Sequence, residues 1–144
     1  MGRSLRELYL HFVWTTEDRD AVLRGELEHF VHRRFRQIAE DHGLTMVAAN
    51  SAWDHVHLLV QWNTTTRIDN LVREWKSRTY TEWNGDEQAG SKLAWQEGCG
   101  VFSVSPHDVE KLKNYIANQK SHHRDDTTVH RYERRYGSGN SGGK

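Results

Sequence analysis

The chain has 144 residues, a single cysteine (Cys99), and 20 basic side chains balanced by 20 acidic ones. One cysteine excludes an intramolecular disulfide and a Cys-based zinc site. No apolar run approaches the roughly 18 residues of a membrane-spanning helix, and the N-terminus lacks a signal-peptide pattern. These features predict one soluble, cytoplasmic domain over residues 1–136, with the Gly/Ser-rich residues 137–144 as a disordered tail. A formal net charge of +0 gives no global signal for a nucleic acid, so any phosphate-binding surface has to be local. Basic residues do outnumber acidic ones from Lys111 to Tyr136, while Glu17, Asp18, Asp20, Glu26 and Glu28 make the early region acidic. Only 35% of residues are apolar, yet there are six Trp and five Tyr, side chains that serve a core or a surface on which unpaired bases stack.

In chain order, Leu8 to Trp14 is aromatic and β-favouring and predicts a central strand, ended by the polar run Thr15 to Asp20. Leu27, Phe30, Val31, Arg34, Phe35 and Ile38 recur at helical spacing from about Gly25 to His42, with Gly43 as the stop. Leu44 to Ala52 reads as a second strand, joined through Trp53-Asp54 to a third in a hairpin. Thr64-Thr65-Thr66 offers a hydroxyl cap to a helix carrying Ile68, Leu71, Val72 and Trp75 and ending near Asn84-Gly85. Arg73, Lys76 and Arg78 cluster beside Trp75 on that helix, a grouping that suits a nucleic-acid backbone or an ordinary solvated face. Leu93-Ala94-Trp95 and Val101 to Val104 read as two extended pieces around Gly98-Cys99-Gly100, the second being the fourth sheet strand. Ser105-Pro106-His107-Asp108 starts a last helix, expected to run unbroken to about His122. The order β-α-β-β-α-β followed by a helix predicts an α+β, ferredoxin-like sandwich with an appended C-terminal helix that carries Tyr115.

The third strand holds the stretch Asp54-His55-Val56-His57-Leu58-Leu59-Val60. Its period of two sends Val56, Leu58 and Val60 into a core and both imidazoles out of the opposite, polar-facing side, close enough to share one cation. On the last helix Tyr115 and Gln119 are four residues apart and share a face with Leu112 and Ile116. That stripe packs on the sheet in the simplest reading. In the other, the Gln119 amide oxygen completes a His/His/amide cation site and Tyr115 stands beside the metal as a nucleophile.

Taken together, Trp14-Thr15-Thr16 with Arg19, the Asp54 to Leu59 strand, Leu71 to Lys76, and Tyr115-Ile116-Ala117-Asn118-Gln119 resemble the IS200-like single-tyrosine transposases, including their REP-associated relatives, over about residues 6–124. The resemblance implies that His55 and His57 are the metal-binding pair of an HUH motif, Gln119 the third ligand and Tyr115 the nucleophile. It implies cleavage of hairpin-flanked single-stranded DNA through a 5′-phosphotyrosine, with Mg²⁺ or Mn²⁺ as cofactor and a homodimer as the working form. The alternative is a catalytically silent or domesticated hairpin-DNA-binding protein of the same fold. A water-using hydrolase would need further carboxylates, and Asp54 is the only one adjacent to the pair in sequence. The Gly/Ser-rich end further suggests that a longer, DNA-assisting C-terminal segment is reduced or missing.

Overall fold

The computed structural model describes residues 5–87, 89–124 and Glu133, residues 122–124 by backbone alone; the tail expected at 137–144 lies outside this set. Four strands form one antiparallel sheet in the order β2-β3-β1-β4: β1 Tyr9–Thr15, β2 Thr45–Ser51, β3 His55–Gln61 and β4 Gly100–Val104. Helix α1, Gly25–Asp41, lies between β1 and β2 in sequence, and α2, Ile68–Asn84, between β3 and β4. Helices α3, Val109–Ala117, and α4, Gln119–Arg124, follow. This is the α+β, ferredoxin-like order that the sequence predicts, with β1 central.

Strand alternation divides the core in two. Phe12 and Trp14 of β1 and Val56, Leu58 and Val60 of β3 pack with Leu27, Val31, Phe35 and Ile38 of α1 and with Leu71 and Trp75 of α2. Trp75 is fully buried, meets Phe12 edge-on at 5.1 Å, and donates from its indole nitrogen to the Phe35 carbonyl at 3.0 Å, which joins the two helices. On the other face of the sheet Leu59 packs against Leu112, Tyr115 and Ile116 of α3. Each large side chain so buried contributes about 1.5–3 kcal/mol, so both layers are held by ordinary hydrophobic burial.

Several local expectations change. Gly43 does end α1, taking a φ of +74 just past His42. The hydroxyl cap expected from Thr64-Thr65-Thr66 is absent: the residue before α2 is Arg67, without a side-chain cap, and the turn is instead made by the Asn63 side-chain oxygen accepting from the Thr65 and Thr66 amides at 3.2 and 2.9 Å. Leu93 to Trp95, read as an extended piece, joins the end of β1 through an isolated bridge between Thr16 and Trp95 without becoming a further sheet strand. The last helix is also not continuous. Pro106–Asp108 is a single tight turn capped by the Ser105 side chain, and the chain breaks again at Asn118, with φ −110 and ψ 29. Tyr115 and Gln119 therefore sit on two short helices rather than one.

Candidate functional site

The site lies on the α3 side of the sheet. His55 and His57 leave β3 on the face opposite Val56 and Leu58, as alternation requires, but this face is not wet: His55 is 1% exposed, His57 0%, Gln119 0% and Tyr115 6%. The polar-facing side expected from the sequence is closed over by α3, α4 and one residue from beyond them, Glu133. Buried polar groups need partners, and here each ring nitrogen of the pair has one.

His55 Nδ1 is 2.7 Å from Asp54 Oδ1, and Asp54 Oδ2 accepts from Arg19 Nε at 3.3 Å. His57 Nδ1 is 2.9 Å from Nε2 of His11 on β1, whose ring stacks on that of His57 at 5.1 Å. With both Nδ1 atoms engaged outward, both Nε2 atoms face inward and meet a single oxygen, Glu133 Oε1, at 3.1 Å from each. The other carboxylate oxygen accepts from the Tyr115 hydroxyl and from Gln119 Nε2, the latter at 3.3 Å. His55, His57 and Glu133 can each offer one ligand atom, and these atoms lie within 4.8 Å of one another, so the three could hold a metal ion. Outward hydrogen bonds that fix the tautomer and aim of a ligating imidazole are the usual support of such a centre.

The structure thus brings together His55, His57, Tyr115 and Gln119, which the sequence singles out, and adds three residues that sequence reasoning missed. In the sequence Asp54 is the acid next to the pair, with no role of its own. In the structure it orients His55. His11 alternates with Phe12 and Trp14 and so lies on the histidine side of the central strand, a signal that period-two reading could have supplied. Glu133 carried no local signal.

Arg73, Lys76 and Arg78 are elsewhere, on α2 and so in the layer beyond the opposite face of the sheet. Arg73 and Lys76 line a groove of about 930 Å³ with Ile68, Tyr80 and Trp95. Lys76 Nζ is held by the carbonyls of Gln96 and Gly98 at 2.9 and 2.5 Å and sits 5.7 Å over the Trp14 ring. Burial keeps its ammonium below the ordinary lysine range, Cys99 and Glu97 opposing. Arg78 pairs with Glu74 at 2.9 Å and Glu82 at 3.6 Å, and Arg73 is exposed.

Comparison with known proteins places these features in context. A protein family described as IS200-like transposase matches residues 4–119. The ISDra2 transposase TnpA of Deinococcus radiodurans is 26% identical over 118 residues, covering 78% of this chain and 84% of that protein. A crystal structure of a candidate transposase from Deinococcus radiodurans R1 superposes with a TM-score of 0.61 at 28% identity, over 83% of this chain and 96% of that one. A REP-associated tyrosine transposase solved bound to a REP hairpin has a TM-score of 0.63 over 85% of this chain and 74% of its own; at 15% identity this is a likeness of fold. Glu133 lies outside the matched residues.

Proposed function

The chain belongs to the IS200-like transposase family, and from that premise we propose that it cuts and rejoins single-stranded DNA at hairpin-flanked sites through a covalent link to Tyr115. The observation that carries this reading is the convergence on one carboxylate: His55 and His57 meet one oxygen of Glu133, and the Tyr115 hydroxyl meets the other. A phosphate group offers the same pattern of oxygens, so a scissile phosphodiester that took this position would have the imidazoles on one side and the phenol on the other.

The donor set fits a divalent cation: two imidazole nitrogens with their remaining nitrogens engaged, a carboxylate, and the Gln119 amide beside it. Mg²⁺ or Mn²⁺ would be held by His55 and His57, with Gln119 as a further ligand once its amide turns to offer Oε1 in place of the Nε2 that here donates to Glu133, and Mn²⁺ matches nitrogen donors better. When bound, the cation supplies charge withdrawal from the phosphate and holds it in line.

The remaining steps belong to the side chains. A phenol with a pKa of about 10 is a weak nucleophile at neutral pH. With a phosphodiester in the place of the Glu133 carboxylate, to which the Tyr115 hydroxyl donates here, that hydroxyl faces the phosphorus, and its proton leaves to water as the oxygen–phosphorus bond forms. The bond from phosphorus to the 3′ oxygen breaks, leaving a 5′-phosphotyrosine and, once that oxygen gains a proton, a free 3′-hydroxyl. A later 3′-hydroxyl can reverse the exchange without ATP, because the ester keeps the energy of the broken bond. Arg73 and Arg78 on α2 remain proposed contacts for the DNA backbone, whereas Lys76, first grouped with them, is engaged by the Gln96 and Gly98 carbonyls. A homodimer of two 16.9 kDa chains is the proposed assembly, motivated by the low apolar content and many aromatics.

The test is denaturing electrophoresis of labelled, hairpin-flanked single-stranded DNA with Mn²⁺. Wild type should give a covalent adduct that maps to Tyr115, and EDTA or His55→Ala should abolish it. Tyr115→Phe keeps the ring against Leu112 and Ile116, so it should fold and bind DNA without forming the adduct. Hairpin binding with no adduct from wild type would favour the silent binding protein instead.

A further inference from the structure

The break of the last helix at Asn118 is supported from two places: locally, where Asn118 Nδ2 donates to the Asn114 carbonyl at 2.8 Å, and from β2. Asn50 is the cross-strand partner of His57. Its side-chain Nδ2 donates to the carbonyls of Ile116 at 3.0 Å and Ala117 at 3.2 Å, while its Oδ1 accepts from the Ser51 amide at 2.9 Å. In an uninterrupted α-helix those two carbonyls would take the amides of Lys120 and Ser121. Asn50 takes that place, so a strand next to the histidines helps decide where α3 stops.

A second tie fixes where α4 starts. Lys120 turns away from the site and donates to the Glu28 carboxylate of α1 and, at 3.1 Å, to the Ser51 carbonyl of β2. Ser51 Oγ also donates to Glu28 Oε2, at 2.8 Å, and His32 Nε2 lies 3.1 Å from the same hydroxyl. Ser51 is fully buried and Glu28 is 9% exposed. Glu28 Oε2 thus accepts from both Ser51 and Lys120; Lys120 is about one-third exposed, but the carboxylate is nearly buried, so the charge-assisted bond is directional and losing the lysine leaves the acid poorly compensated. Gln119 therefore lies between a break supported by Asn50 and an anchor set by Lys120.

We propose that Asn50 and the Glu28–Lys120 pair are positioning residues for the reaction, holding the α3–α4 break so that Tyr115 and Gln119 reach the histidine pair together. The inference rests on the transposase reading above, but its core is a statement about where Tyr115 stands. Ser51 serves both ties, through its amide and its carbonyl, which couples the two.

The experiment uses full-length protein labelled with 3-fluorotyrosine, the Tyr115 resonance being assigned from Tyr115→Phe. It is run on Asn50→Asp, Lys120→Met, Glu28→Lys, Lys120→Glu and the Glu28→Lys/Lys120→Glu double variant. Asn50→Asp is nearly isosteric and replaces the donor by a carboxylate oxygen that both carbonyls repel. Expected is a shifted or broadened Tyr115 fluorine signal in each single variant, a fall of about 10- to 100-fold in adduct formation at saturating DNA, and DNA affinity within about 3-fold of wild type. The charge-swapped double variant should recover part of both the signal and the rate relative to its singles, although the Ser51 carbonyl then faces a carboxylate; general destabilisation would give no recovery. An unmoved signal in folded Asn50→Asp and Lys120→Met overturns the inference whatever their activity, as does a double variant no better than its singles. Should the fluorine signal move while even wild type forms no adduct, the chemistry proposed above fails and the positioning stands.

Discussion

His11 on the central strand bonds through Nε2 to His57 Nδ1 at 2.9 Å, so one histidine sets the tautomer of another. If His57 presents a lone pair from Nε2 to a cation, its proton must be on Nδ1 and must be donated to His11. His11→Ala would remove that acceptor and free a ring that is otherwise fully buried. The expected outcome is a drop in Mn²⁺ affinity of about 10- to 100-fold by isothermal titration, with the fold retained. Affinity equal to wild type would leave His11 a packing residue.

The basic cluster on α2 separates into unlike members. Lys76 ties the loop carbonyls of Gln96 and Gly98 to the helix, so Lys76→Met should cost about 1–2 kcal/mol of stability and lower the Tm. Arg73 is exposed, and Arg73→Ala should leave stability within about 0.5 kcal/mol. If Arg73 touches a phosphate, the salt dependence of single-strand binding should become shallower by about one ion for Arg73→Ala and stay unchanged for Lys76→Met. Fluorescence anisotropy across a salt series reads both.

What was legible in the sequence was local and periodic. The alternation of Val56, Leu58 and Val60 with His55 and His57 assigned the faces of β3 correctly, because a strand's two faces follow from backbone geometry alone. Helical spacing likewise brought Leu112, Tyr115 and Ile116 onto one face of α3. The continuation to His122 failed because the carbonyls at the break are bonded by an Asn50 amide far away in the chain, which no window of helix propensity contains, while Asn118 adds a local bond to the Asn114 carbonyl. The burial of the histidines was missed for the same reason: β3 alone cannot say that α3 and Glu133 will cover its polar side. Glu133 is separated from His57 by 76 positions, and nothing around it marks a ligand.

His32 links α1 to the buried Ser51 hydroxyl, and its pKa is lowered from 6.5 to about 4, burial being the main cause, with Lys120, His29 and Arg36 acting the same way and Glu28 opposing. The native imidazole therefore resists protonation that the unfolded chain accepts readily. Between about pH 6.5 and 4 the unfolded state binds more protons, so stability should fall as the pH falls through this window, by on the order of 2–3 kcal/mol. Urea unfolding at pH 7, 5.5 and 4.5 measures the slope. His32→Gln should flatten it; an equal slope in the variant would assign the loss to other groups.

A last prediction concerns whether one chain suffices. His55 and His57 on β3, Tyr115 on α3 and Gln119 on α4 converge within a single chain. For a partner's tyrosine to serve instead, Leu112, Tyr115 and Ile116 would have to leave Leu59 and dock on another copy. The link from β4 to α3 is short, from Ser105 to Asp108, and the end of α3 is bonded to Asn50. Each contact broken can be remade on the partner, so exchange is limited by its barrier: burying those side chains is worth several kcal/mol in all, about 1.5–3 for each. The two geometries differ in a mixing experiment. His55→Ala chains keep the tyrosine but lack the imidazole pair, and Tyr115→Phe chains have the reverse. Combined in equal amounts with hairpin-flanked DNA and Mn²⁺, they should yield no adduct above either alone, even at concentrations where sedimentation reports a homodimer. An adduct that appears only in the mixture would show the tyrosine acting across subunits and would require the α3–α4 segment to exchange.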